Sequence, residues 1–133
     1  MKFNALIPEL SVSNIQQSKS FYLDVLGFKL EYERVDDRFA FLSFQEAQLM
    51  IEEVNGYWAT GELSYPFGRG LNFQIATVNI EGVIQRLKEH DVPLFRELTV
   101  NRYEGEGETF VVKEILVQDP DGYLLRFSET VVE

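Results

Sequence analysis

Leu6-Ile-Pro-Glu-Leu-Ser-Val-Ser13 runs into a helix-like stretch from Asn14 to Leu26, and Leu71-Asn-Phe-Gln-Ile-Ala-Thr-Val78 runs into another from Asn79 to His90. Three strand-like segments follow each helix, so the chain reads as a β-α-β-β-β unit used twice. A unit of that size cannot bury its own apolar face, so the two must pair. The sequence therefore predicts an α+β fold in a single domain, residues 1–133. In it, two βαβββ modules (about residues 1–60 and 68–133) form a bent mixed sheet around a cup, with the helices on the outside.

Local signals support the repeat. Ser13 and Gln16 stand at capping-box spacing, and Ile15, Phe21, Tyr22, Val25 and Leu26 make an apolar stripe that Gly27 ends. Asn79 caps the second helix, whose stripe is Ile80, Val83, Ile84 and Leu87, with Pro93 as a stop. Strands are expected near Lys29–Val35, Arg38–Phe44, Ala47–Val54, Leu94–Tyr103, Thr109–Gln118 and Tyr123–Val131, with Asp119-Pro-Asp-Gly122 as a turn between the last two. The modules are joined by Asn55–Gly70, a loop holding Tyr57, Trp58, Tyr65 and Phe67. Four aromatic residues in a linker point to packing or ligand contact. Glu104-Gly-Glu-Gly-Glu108 is a short acidic connection.

Composition narrows the function classes. Of 133 residues 45% are hydrophobic, enough for a real core, and 11 Phe with six Tyr imply an aromatic-rich core or an aromatic binding surface. With no cysteine, disulfides, thiolate metal sites and cysteine nucleophiles are excluded. The formal charge of −10 disfavours nucleic acid and anionic lipid as partners and favours cations. No apolar run suits a bilayer and no signal-like start is seen, so a cytoplasmic protein without membrane partners is expected.

Strand alternation assigns faces. Leu6, Pro8, Leu10 and Val12 should pack on a helix, turning Ile7, Glu9 and Ser11 away; Leu71, Phe73 and Ile75 should do the same, turning Asn72, Gln74 and Ala76 away. Gln48, Met50 and Glu52 share the outward set with Phe39, Phe41 and Ser43, as do Phe110, Val112 and Glu114 with Leu124, Arg126 and Ser128. Carboxylates, an arginine and several phenylalanines on one surface suit an amphipathic small ligand.

Ser20-Phe-Tyr-Leu-Asp-Val-Leu-Gly-Phe28 and Val117-Gln-Asp-Pro-Asp-Gly-Tyr-Leu-Leu-Arg-Phe127, set in paired modules, resemble the vicinal oxygen chelate superfamily of glyoxalases, extradiol dioxygenases, fosfomycin-resistance enzymes and bleomycin-resistance proteins. The resemblance implies a divalent metal in the cup, with ligand positions near Ile7, Asn72 and Arg126. Isoleucine has no donor, asparagine is a weak ligand and arginine is a fixed cation. The single histidine, His90, ends the second helix. With Pro8, Phe39-Ala40 and Lys113-Glu114, the chain is most similar to the bleomycin-resistance proteins, which implies no cofactor, a homodimer with an exchanged N-terminal strand, and a flat cationic ligand held between subunits.

Two classes of function follow. In the first, the chain is a metal-independent binding protein for a cationic, partly aromatic antibiotic or metabolite. Phe39, Phe41, Trp58 and Phe110 would stack on rings, Glu9, Glu52 and Glu114 would neutralise charge, and Asn72 and Arg126 would hold polar groups. In the second it is an enzyme (a lyase, isomerase or transferase) using a hard divalent cation on Glu9, Glu52 and Glu114. A scaffold with a vestigial cup is a third reading. No nucleophilic triad or phosphate-cradling glycine motif is found.

Overall fold

Both helices begin at an asparagine, and both starts are pinned in the same way. In the computed structural model, which describes all 133 residues, α1 (Ile15–Ser20) follows β1 (Glu9–Val12) and α2 (Ile80–Glu89) follows β5 (Phe73–Ala76). Asn14 accepts from the Gln17 amide at 3.0 Å, and Asn79 from the Gly82 amide at 3.1 Å. The next orphan amide of each helix is bound by a glutamate from the module's last strand. Ile15 donates to Glu53 at 3.1 Å and Ile80 donates to Glu129 at 3.0 Å. A cap plus a carboxylate satisfies two of the unpaired donors that every helix start exposes.

The strands after each helix are β2 (Lys29–Arg34), β3 (Phe39–Phe44) and β4 (Ala47–Glu53), then β6 (Arg96–Glu104), β7 (Thr109–Gln118) and β8 (Leu124–Val132). They form two four-stranded mixed sheets, ordered β1-β4-β3-β2 and β5-β8-β7-β6. β1 runs parallel to β4 and β5 to β8, while all other pairs are antiparallel. The α+β class and the repeated βαβββ order are as expected, with two sheets rather than a continuous one and no closed barrel. By contacts the chain forms two compact units: Met1–Phe67 with Pro120–Gly122, and Gly68–Asp119 with Tyr123–Glu133. No helix is long and apolar enough to cross a membrane.

In the first unit Leu10, Val12, Tyr22, Leu26, Ala40, Leu42, Leu49 and Ile51 are buried; in the second, Ile75, Ile80, Val83, Leu87, Ile115, Val117, Leu125 and Phe127. The first helix ends in a π-helical turn, Phe21–Val25, in which Leu26 donates to the Phe21 carbonyl at 3.0 Å. The adjacent Phe21 and Tyr22 of this turn both reach the interior.

Three expectations are corrected. The first helix is capped by Asn14 rather than by Ser13 in a box with Gln16. Ser13 instead donates its amide (3.0 Å) and its hydroxyl (2.5 Å) to the carboxylate of Asp121, which is buried. β1 is also shorter than the apolar alternation suggests, because pairing with β4 begins at Glu9 opposite Met50; Leu6, expected inside, is 85% exposed.

The Asp-Pro-Asp-Gly turn closes onto the end of the aromatic loop. The Phe67 amide donates to the Asp121 carbonyl at 2.8 Å. Gly122 has φ +94°, and a Cβ there would lie 2.5 Å from the Pro66 Cβ. Both the left-handed backbone and the close approach require glycine. Replacing Gly122 with alanine should cost about 1 kcal/mol or more in urea unfolding. Gly61→Ala, where an added Cβ meets nothing within 4 Å, should stay within about 0.5 kcal/mol. Asp121→Ala should cost about 2 kcal/mol, since it strips a charged acceptor from two donors.

Candidate functional site

Register places the candidate residues of the first unit in two rows on the sheet face opposite Leu10, Val12, Leu49 and Ile51. Ser11, Glu52, Phe39 and Arg34 are successive cross-strand partners, and so are Glu9, Met50, Phe41 and Tyr32. Glu9, Glu52, Phe39 and Phe41 are thus brought onto one face as expected. Trp58 of the joining loop reaches the same place: its indole N–H donates to Glu52 at 3.1 Å, beside the Asn55 amide at 3.1 Å. Tyr57 packs edge-on against Trp58 with centroids 4.5 Å apart, and Trp58 is 58% exposed.

The phenylalanine rings are not bare. Phe39 and Phe41 are 3% and 1% exposed. Tyr32 stacks on Phe41 at 5.2 Å and 11°, and Phe3 meets the same ring edge-on at 5.4 Å. Over Phe39 lies the guanidinium of Arg34, 3.9 Å from the ring centroid, while its Nε donates to Asp37 at 3.1 Å. Phe3 is carried by an N-terminal segment that Gln48 clips, accepting from the Asn4 amide at 2.7 Å and donating to the Lys2 carbonyl at 2.6 Å. The expectation of two open stacking rings is accordingly revised: side chains of the protein itself cover them.

Electrostatics on this face are frustrated. Burial, and then the charge of Glu52, push the Glu9 carboxyl above its ordinary range, while Arg34 pulls it back. Alongside α1 runs a groove of about 450 Å³ lined by Gln16, Lys19, Glu33, Val35, Arg38, Phe39 and Glu53. Its charges are paired: Lys19 with Glu33 at 2.5 Å and Arg38 with Glu53 at 2.8 Å.

The second unit holds a smaller polar group. Arg126 donates to Glu114 at 3.4 Å and to Gln74 at 3.2 Å. Phe110 lies further along β7 with its ring against Gly105, where a Cβ would be 2.9 Å away. Asn72 is exposed just ahead of β5. His90 closes α2 with Nδ1 2.8 Å from the Arg86 carbonyl, a helix-end role.

The metal implied by the resemblance does not fit these residues. Ile7 offers no donor, and Arg126 brings a cation held by Glu114 and Gln74. No group of three or more His, Cys, Asp or Glu side chains is placed to hold a metal ion.

Sequence reasoning missed Tyr32, Arg34 and the pair Ser13–Asp121. The first two were within reach, since carrying the period-two alternation through β2 puts both on the same side as Phe39 and Phe41. The third was not, because it joins residues 108 positions apart.

Comparison with known proteins agrees with this architecture. The family model described as Glyoxalase/Bleomycin resistance protein/Dioxygenase superfamily matches residues 4–127. A superfamily member from Vibrio splendidus 12B01 is 36% identical, covering 91% of this chain and 94% of that one, with a TM-score of 0.43. A glyoxalase/bleomycin resistance protein/dioxygenase from Alicyclobacillus acidocaldarius is 22% identical over 95% of this chain and 90% of that one, with a TM-score of 0.65. TioX from Micromonospora sp. ML1 shares the fold at 14% identity, covering 97% of this chain and 100% of that one, with a TM-score of 0.71. No curated protein matches the chain.

The charge arrangement makes a signed prediction. A carboxyl whose folded pKa is raised destabilises the fold while ionised, and that penalty vanishes as pH falls through the raised pKa to the ordinary value. Glu9→Gln should therefore melt higher than the parent at neutral pH, with the difference closing near pH 4. Glu52→Gln should lower the Glu9 pKa in a carboxyl NMR titration, and an unmoved Glu9 would contradict the coupling.

Proposed function

We propose a binding function for this chain, which belongs to the Glyoxalase/Bleomycin resistance protein/Dioxygenase superfamily: it sequesters a cationic, partly aromatic small molecule without a metal, in the manner of a bleomycin-resistance protein. The observation that carries the reading is the face built from Glu9, Glu52, Phe39, Phe41 and Trp58. Two carboxylates stand there beside aromatic rings, and one of those carboxylates orients the exposed indole. Carboxylates next to π faces attract a cation through Coulomb and quadrupole terms together, about 0.5–2 kcal/mol for the latter. On the second unit, Asn72, Phe110, Glu114 and Arg126 are proposed as ligand contacts in their own right. The misfit of Ile7 and Arg126 to metal ligation supports binding over metal-dependent catalysis.

A homodimer is part of the proposal. Met1, Phe3 and Leu6 are each more than half exposed, and a second copy would cover this run of apolar residues. Sedimentation should give twice the chain mass at micromolar concentration, and a monomer would remove this part of the reading.

With a panel of cationic antibiotics that includes a bleomycin, binding should quench the single tryptophan, Trp58, and weaken as salt rises. Glu52→Gln should reduce affinity most at low salt, because it removes a charge while leaving an amide oxygen that can still accept from the indole. If no cationic aromatic member of the panel binds at millimolar concentration, sequestration of that drug class is wrong.

A further inference from the structure

Arg34 and Phe39 are direct cross-strand partners, and Phe39 is in turn the partner of Glu52 on β4. The guanidinium carbon sits 3.9 Å from the ring centroid, over a phenylalanine that shares the face of Glu9 and Glu52. We propose that this stack marks a subsite for a planar, delocalised cation of the guanidinium or amidinium class, which a ligand enters by displacing Arg34. The inference rests on the binding reading above and sharpens it by naming the shape of the cation.

The seated group is itself the best record of what the position accepts. A guanidinium is planar and weakly hydrated, so it gives up little water to lie on an aromatic face; an ammonium is compact, strongly hydrated and has no plane to stack. The surroundings favour a cation whether or not Arg34 is present: Glu52 adjoins Phe39 in its row, Glu9 lies in the next row, and Asp37 flanks Arg34. The charge of Arg34 is felt at Glu9, whose carboxyl it pulls down against burial and Glu52. Displacement is also easy. Half of the Arg34 side chain is exposed, its partner Asp37 is more exposed still, and such surface pairs hold weakly. Once Arg34 swings out, the ring face that it covers on Phe39 is open.

Chemical rescue tests this without any antibiotic. Arg34→Ala should bind methylguanidinium saturably, read as NMR shifts of the Phe39 ring and a downward return of the Glu9 pKa. Methylammonium at the same ionic strength should do so several-fold more weakly. The parent, with Arg34 seated, should bind methylguanidinium more weakly than the variant, and Arg34→Lys should compete less well than arginine does. No saturable shift in Arg34→Ala, or equal binding of methylammonium, overturns the subsite. Rescue in the variant alongside a parent that binds no antibiotic would keep the subsite and remove the sequestration reading.

Discussion

A buried carboxylate ties the first helix to a turn more than a hundred residues later. Asp121 accepts both the amide and the hydroxyl of Ser13, and its carbonyl accepts the Phe67 amide. Ser13 is the residue between the end of β1 and the cap of α1, so this contact sets where the strand stops and the helix starts. Glu53 completes the setting by binding the Ile15 amide from the end of β4. With β1 and β4 both fixed at their ends, their parallel register follows, and with it the placement of Glu9, Ser11 and Glu52 on one face. A buried ion without donors is costly, so the turn and the helix start are mutually dependent.

That face has more negative charge than folding alone favours. Glu9 is held near Glu52 in partial burial, and the charge of Arg34 offsets part of the cost at Glu9. Local conflicts of this kind tend to sit where a protein meets a ligand, because a bound group of opposite charge relieves them. The protein covers these groups with its own side chains: Arg34 on Phe39, Tyr32 and Phe3 on Phe41, and Trp58 on Glu52. On the binding reading proposed above, each would stand in for a contact that a flat cationic ligand makes.

Much of this was legible in the sequence, for definite reasons. The twofold βαβββ order shows because each helix start carries an asparagine before an apolar stripe, and because two-residue alternation sorts Glu9, Phe39, Phe41 and Glu52 onto one side. Asn79 was identified as a cap and Asn14 was not, since Ser13 sits one residue earlier with an equally good capping side chain; only the distant Asp121 decides between them. The burial of Phe39 and Phe41 was hidden for a similar reason. It depends on Tyr32 and Arg34 lying opposite them, which needs the β2–β3 register, and on a Phe3 held by Gln48 across the sheet. Leu6 misled because alternation continues past the point where pairing ends. On the second unit, Arg126 was placed on the outward face correctly, while its partners Glu114 and Gln74 emerge only from the β8 register.

The central claim is that this member of a superfamily of metalloenzymes and binding proteins works without a metal, through carboxylates and aromatic rings. The most direct measurement is calorimetric titration of a cationic aromatic ligand into protein dialysed exhaustively against chelator, repeated after adding back magnesium, manganese, zinc or nickel. The account predicts the same affinity and enthalpy in every case. Binding that appears only once a divalent metal is restored would contradict it.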